Sequence, residues 1–387
     1  MVNMGEIFAY PRISDLPMER VQISEGEAKK FLLNPGDLLF ARQSLVLSGA
    51  GKCSIFLGAS EPITFEGHLI RVRLNEDIAC PTFYYYFFGS VAGRQAIESI
   101  IEQVAAAGVR GSDLAKLLVP YPPLPEQRAI AHILGTLDDK IELNRKMNKT
   151  LEAMAQALFK NWFVDFEPFR NQGMEDSPLG PIPRGWNTVT IDDIGNIVCG
   201  KTPSTRESDN YGGNIPFITI PDMHKKVFVT VTTNYLSEKG ALTQSGKLLP
   251  KYAVCVSCIA TPGLVALTSE PSNTNQQINS IICNRETSPY WCYLAMNNLR
   301  QEIITGGAGG SATLNLNKTE FSKMQTIKPN QGVMWKFHQI VEPLFVRVLA
   351  NELESTTLAS IRDALLPKLL SGEVRVKDAE RFAEEVM

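Results

Sequence analysis

Residues 195–202 read GNIVCGKT. This fits G-x-x-x-x-G-K-[ST], in which glycines let backbone N–H groups wrap a phosphate and the lysine neutralises it. Taken alone, the match is nucleotide-hydrolysis chemistry. Its context fails. A phosphate loop feeds directly into a helix N-terminus, whereas Pro203 and then the non-periodic stretch STRESDNYGG follow here. Ile197 and Val198 are β-branched and resist the positive φ angles of such a nest. IGNIVC instead predicts a strand running into a polar turn. A second candidate chemistry is thiol-based. Cysteines stand at 53, 80, 199, 255, 258, 283 and 292, and only Cys255 and Cys258 form C-x-x-C. Two zinc ligands are not four, and no second pair completes a site. In the apolar run YAVCVSCIA they read as reduced core thiols.

The elements that must position any site come from a chain of 387 residues, long enough for two or three domains. No apolar run approaches the ~20 residues that cross a bilayer. The N-terminal MVNMGEIFAYPRISDLPMER lacks a basic head followed by an apolar stretch, so no signal peptide is expected and the expected compartment is the cytoplasm. The net charge of −3 counts modestly against nucleic acid as a partner. It is offset if basic residues gather on one face or if other subunits supply phosphate contacts.

The chain contains itself twice. A constant, ungapped offset pairs Lys116 with Lys323, Pro122 with Pro329, Ile133 with Ile340, Leu137 with Leu344, Asn144 with Asn351 and Leu158 with Leu365. Each copy is a globular part followed by a helix. In the first helix Ile130, Ile133, Leu137, Ile141, Asn144, Asn148, Leu151, Ala155, Leu158 and Trp162 recur in steps of three and four, a coiled-coil seam. In the second the seam runs Phe337, Ile340, Leu344, Val348, Asn351, Ser355, Leu358, Leu365 and Leu369, and Pro343 should kink or delay it. About 38 residues per helix make a rod of roughly 57 Å. Both seams turn polar at the same place, Asn144/Asn148 and Asn351/Ser355. That favours a buried register-fixing step over a solvated face. Two related helices in one chain most simply pair antiparallel, which would put the globular units at opposite ends.

The globular units predict an α+β class. GDLLFAR, HLIRVRL, NIPFITI, YAVCVSCIA and INSIIC read as strands, and TFYYYFFGSVAGRQAIESII and SPYWCYLAMNNLRQEII as helices packed on a sheet. The predicted organisation is residues 1–122 for the first globular unit, 123–165 for its helix and 166–184 for a Pro/Gly-rich linker. Residues 185–330 form the second unit, 331–372 its helix and 373–387 a charged tail. The second unit begins with GWNTVTIDDIGNIVCGKTPSTRESDNYGG before NIPFITI. The first starts near the equivalent of Asn214, so roughly thirty residues have no counterpart there.

These features together resemble the specificity subunit of a type I DNA restriction–modification system. The residues that carry the resemblance are YPPLPEQRAIAHILGTLDDKIELNRKMNKTLEAMAQALFKNWFVDFEPF, the linker GPIPRGW, CGKTPS, NYGGNIPFITIPDM, SNTNQQINSI and LLPKLLSGEV, covering almost the full length. The resemblance implies two tandem target recognition domains, each reading one half of a bipartite, asymmetric site in double-stranded DNA. It implies an antiparallel coiled coil that spaces them with pseudo-twofold symmetry. It implies docking of two modification subunits that carry S-adenosylmethionine and methylate adenine, and of restriction subunits that use ATP and Mg²⁺. The chain itself would hold no cofactor, catalyse nothing and meet no membrane. A single-chain methyltransferase would need an NPPY-like tetrapeptide and a glycine-rich cofactor loop; PYPP has the wrong order and precedes a helix.

Given that family, phosphate contacts supply affinity and base edges specificity. Candidate DNA ligands in the second unit are Lys201, Thr202, Ser204, Arg206, Asn210 and Tyr211, then Asn275, Gln276 and Gln277, then Asn315, Asn317 and Lys318. In the first unit they are Arg42, Gln43, Ser44, Lys52 and Arg110. Such loops also carry turns, the competing role for each residue. Tyr84, Tyr85, Tyr86 and Trp291 sit in helical settings and read as core rather than base-stacking groups. Phe159, Trp162, Phe163 and Phe166 at a helix end read as core or as a docking patch for a modification subunit, with the patch slightly favoured.

Overall fold

A computed structural model describes residues 1–103, 107–306 and 315–379. The chain divides into two compact units, Met1–Lys140 with Leu358–Met387, and Ile141–Thr357. The long helices Leu124–Phe163 and Gln331–Ser371 each contribute residues to both. Each unit combines a mixed sheet with helices, the α+β architecture the sequence predicts.

In the second unit a five-stranded sheet runs in the order Gly195–Cys199, Ile278–Cys283, Val254–Ser257, Val265–Thr268, Phe228–Val229. Val254–Ser257 lies in its middle and is buried on both faces. Alternation sends its side chains to two different cores. Val254 and Val256 pack with Tyr290, Trp291 and Phe337, and Cys255 packs with Val198, Ala266 and Ile278. Cys255 and Cys258 consequently fall into separate clusters and do not form a ligand pair. Burial pushes each thiol up to about 12, which keeps both protonated, as expected of core thiols. Among the described residues no group of three metal-ligating side chains occurs. The helix Pro289–Asn298 covers this sheet. It starts where Ser288 caps the Trp291 N–H and Pro289 takes the first turn, so no donor is wasted.

The first unit repeats the plan. Its sheet order is Arg12–Ile13, Cys53–Phe56, Leu38–Ala41, Leu69–Val72. The short Arg12–Ile13 pairs parallel with its neighbour, as Phe228–Val229 does in the second unit, and the other pairs are antiparallel in both. Two of the second-unit elements that have no counterpart among the described first-unit residues bear on the sheets. One is Gly195–Cys199, so Leu69–Val72 is an edge strand where Ile278–Cys283 is not. The other is Asn187–Thr190, which pairs with Gln325–Lys328. At the repeat-equivalent stretch of the first unit, Leu118 is 91% and Tyr121 64% exposed. The aromatic helix of this unit breaks into Pro81–Gly89 and Val91–Glu98, because Ser90 caps the second piece through the Gly93 N–H.

Within the second unit the two long helices run antiparallel. Asn144 Nδ2 reaches Asn351 O, Glu354 Oε2 and Ser355 Oγ, while one turn later Asn148 Nδ2 donates to Val348 O and Asn351 Nδ2 to Asn148 Oδ1. Asn144 and Asn351 are both buried, so the polar step lies in the seam. Within the first unit Arg362 pairs with the buried Asp138 at 2.6 Å, and Tyr86 donates to the same carboxylate at 2.7 Å. Leu366 and Leu369 share a core with Ile130, Ile133 and Leu134 there.

Four expectations are corrected. Ile340 is exposed, because the second helix is buried on two sides and turns Met334, Val341, Phe345 and Leu349 toward the globular core. Pro343 does not delay the second helix, which is unbroken over Gln331–Ser371. A mid-helix proline costs roughly 3 kcal/mol, and the buried Phe337, Val341 and Phe345 around it stabilise by roughly 1.5–3 kcal/mol each. Residues 166–184, read as a linker, are folded onto the core. They form the short helix Glu167–Gln172 and a hairpin of Met174–Glu175 with Ile182–Pro183, because Phe169 and Ile182 are buried beside Trp186. In the expected tail 373–387, Val374, Val376 and Ala379 pack on the first core, and residues 380–387 lie outside the described residues.

Candidate nucleic-acid interface

The GNIVCGKT stretch is a strand, Gly195–Cys199, paired antiparallel with Ile278–Cys283, followed by an irregular polar loop. No helix follows the lysine before the single turn Ser208–Asn210. The strand delivers its loop against residues 274–278. Gly200 N donates to Ile278 O at 3.1 Å and Lys201 N to Thr274 O at 3.0 Å. A Cβ at Gly200 would collide with the carbonyl oxygens of Thr274 and Asn275, so only glycine allows this approach. Thr202 Oγ1 then donates to Gln276 Oε1 at 2.5 Å, and Lys247 Nζ to Cys199 O at 2.5 Å. Lys201, Ser204, Arg206 and Gln276 are left exposed. Exposed cations and amides carry the donor and acceptor groups that phosphates and base edges can pair with.

Other candidates turn inward. Asn210 is buried, and its Nδ2 donates to Ser204 O at 3.1 Å, holding the loop rather than facing a partner. Tyr211 is half-buried and donates to Pro203 O at 2.9 Å; burial pushes its phenol up. Asn275 and Gln277 bond each other across the turn. Asn317 caps the helix Lys318–Lys323 by accepting the Glu320 N–H, while Lys318 and Asn315 stay exposed. The glycine-rich stretch 307–314 before them lies outside the described residues. Lys247 was not among the sequence candidates; its only sequence signal is a lone lysine in QSGKLLP.

In the first unit the candidates gather on a three-stranded patch made by Gln43–Ser44, Ala107–Gly108 and Glu102–Gln103. Arg42 is exposed, and its backbone bridges His68 O and the Val109 N–H. Gln43 Nε2 meets His68 Nδ1 at 3.2 Å, which adds His68 to the patch. Ser44 Oγ accepts the Val46 N–H. Arg110 is paired with Glu102 at 2.6 Å, and Lys52 donates to Phe8 O while lying over the Phe8 ring. Arg94 pins the adjoining turn through Leu47 O and Ala50 O, and Leu45 at its tip is 95% exposed.

The aromatics read as core or docking patch pack inward. Phe159 and Phe163 are buried, and Trp162 and Phe166 pack against the same cluster of Trp186, Trp291 and Phe337. Phe159 and Phe163 are spent in the core of the second unit, while Trp162 and Phe166 stay half-buried. Tyr84 and Tyr86 are core in the first unit and Trp291 is core in the second, as expected, and Tyr85 packs partly buried on the first-unit core. Among the described residues no helix is long and apolar enough to cross a membrane.

The pattern of the type I restriction modification DNA specificity domain matches this chain twice, at residues 6–153 and 183–359. The chain is 34% identical to the type I restriction enzyme HindI specificity subunit of Haemophilus influenzae, over 96% of this chain and 94% of that protein. It is 28% identical to the MjaIX specificity subunit of Methanocaldococcus jannaschii, over 93% and 85% respectively. The crystal structure of a type I restriction–modification system S subunit from M. genitalium superposes with a TM-score of 0.56 at 17% identity, covering 93% of this chain and 88% of that one, a likeness of fold. Two family matches, one on each copy of the same sheet plan, leave one conclusion: the chain belongs to the family of type I restriction–modification DNA specificity subunits.

Proposed function

We propose that this chain reads DNA sequence and itself performs no chemistry. Each unit carries one reader, and the pair recognises a bipartite, asymmetric target in double-stranded DNA. The observation that carries this reading is duplication with divergence. The same sheet order recurs in both units, yet the exposed loop residues differ, Arg42 and Gln43 in one and Lys201, Arg206 and Gln276 in the other. Two identical readers would take a symmetric site; two divergent ones take an asymmetric one.

The long helices act as spacer and as docking site for two modification subunits, which bring S-adenosylmethionine and methylate adenine. Restriction subunits, using ATP and Mg²⁺, join the same assembly. A 40-residue helix is about 60 Å long, more than the ~34–36 Å of one DNA turn. The net charge of −3 fits a reader that shares phosphate contacts with its partners. The cytoplasm, where the DNA lies, is the proposed location.

The test is co-expression with a type I modification subunit, followed by selection from a pool of random duplexes at several salt concentrations. The expected result is a co-purifying complex that enriches two short motifs at fixed separation. A complex that enriches one contiguous motif overturns the bipartite reading, and no sequence preference overturns DNA reading itself. ATP hydrolysis by the isolated chain, abolished by Lys201→Ala, would restore the nucleotide reading of residues 195–202.

A further inference from the structure

Three consecutive amides occupy the turn at 275–277, and geometry gives one of them a different task. Asn275 Oδ1 accepts the Gln277 N–H at 3.1 Å, and Asn275 Nδ2 donates to Gln277 Oε1 at 3.0 Å. Both side chains are half-buried, so this pair closes the turn. Gln276 is exposed, and its bond comes from another loop, Thr202 Oγ1 to Gln276 Oε1 at 2.5 Å. Everything around that bond fixes its register. The Gly200 and Lys201 amides are tied to Ile278 O and Thr274 O. Gly200 is there because no Cβ fits, and Lys247 fastens the strand end at Cys199 O. A surface glutamine ordinarily loses rotamer freedom when it engages a partner. This one is already held.

We infer that Gln276 is a base-reading side chain of the second unit, that Thr202 is its positioning residue, and that the base it takes is adenine. The inference rests on the DNA-reading function proposed above. Thr202 occupies one lone pair of Oε1. The other lone pair and Nε2–H₂ then stand side by side as acceptor and donor. Adenine offers the complement in the major groove, the N6–H₂ donor beside the N7 acceptor; guanine offers two acceptors, and its O6 would face Oε1. Lys201, exposed and adjacent to Thr202, supplies a phosphate contact that carries no sequence information.

The experiment uses the full chain in complex with its modification subunits and duplexes randomised across the enriched site. Gln276→Ala should lower the preference for adenine at one position of one half-site by roughly 5- to 150-fold, leaving other positions unchanged. Gln276→Glu keeps the size but only accepts, so the same position should shift toward cytosine, whose N4–H₂ donates. Thr202→Val should reproduce part of the Gln276→Ala loss, and Thr202→Ser should restore the preference. Lys201→Ala should weaken binding evenly across sequences and flatten its salt dependence. The inference is overturned if Gln276→Ala leaves every preference intact, weakens all sequences evenly, or acts at a position that is not adenine. A wild-type complex without any sequence preference refutes the DNA-reading function rather than this assignment.

Discussion

Glu352 makes a pH dependence that can be worked out in advance. It lies on the second long helix, 8% exposed, and its two carboxylate oxygens accept the N–H groups of Val227 and Phe228 at 3.2 and 3.1 Å. Burial pushes its pKa up to about 7, against the pull of Lys226 and of the two N–H donors, with Glu152 adding to the rise. A carboxyl whose folded pKa is raised binds more protons in the folded state than in the unfolded one. Its contribution is therefore fully present below the unfolded value of 4.5 and lost as pH climbs to about 7. At 1.36 kcal/mol per pH unit the whole loss is about 3 kcal/mol. Glu352→Gln cannot ionise but keeps a single acceptor, leaving one N–H facing an amide NH₂ at a pH-independent cost of about 1–2 kcal/mol. Wild type should be the more stable protein near pH 5 and the variant near pH 8. All four tryptophans, at 162, 186, 291 and 335, lie in the second unit, so urea unfolding followed by tryptophan fluorescence reads the right part of the chain. A difference between the two proteins that stays flat from pH 4.5 to 8, or that moves in favour of wild type as pH rises, refutes the reasoning.

Three further outcomes are expected. Arg362→Ala leaves Asp138 buried without its cation. Because Arg362 is 28% exposed, the cost should fall to about 2–3 kcal/mol, below the 3–5 of a fully buried pair. Replacing the network as Tyr86→Phe, Asp138→Leu and Arg362→Met should return near wild-type stability in denaturant titrations followed by circular dichroism; a triple variant as weak as the single one would contradict this. Amide hydrogen exchange should be faster in Leu69–Val72 and at residues 118–121 than in Ile278–Cys283 and Gln325–Lys328, which have an extra strand against them; equal protection would count against an open edge. Gly200→Ala should speed exchange at the Lys201 amide, lower the urea midpoint and reproduce the specificity change of Gln276→Ala; an unaltered specificity would mean that the two loops do not need this register.

The strands, the sheet helices and the Asn seam were legible because apolar spacing alone sets which face is buried. The errors share a cause. A helix buried on two sides has no single seam, so the spacing that selects Ile340 misses Val341 and Phe345, which are buried beside it. Composition marks residues 166–184 as a linker, yet Phe169 and Ile182 are enough to fold it onto the core. Amides are the least legible of all. Asn210 holds a loop, Asn317 caps a helix and Asn275 closes a turn, each with the residue type of a base reader. What sets Gln276 apart is a threonine 74 residues earlier in the chain, visible only once two loops meet.

The most direct test maps every methylated adenine in the DNA of cells that carry this chain with its modification subunit. The account predicts one modified motif made of two unlike half-sites at constant spacing, with Gln276→Ala altering only one half. Modified adenines in a single uninterrupted motif, or at sites unchanged when this chain is removed, would contradict it.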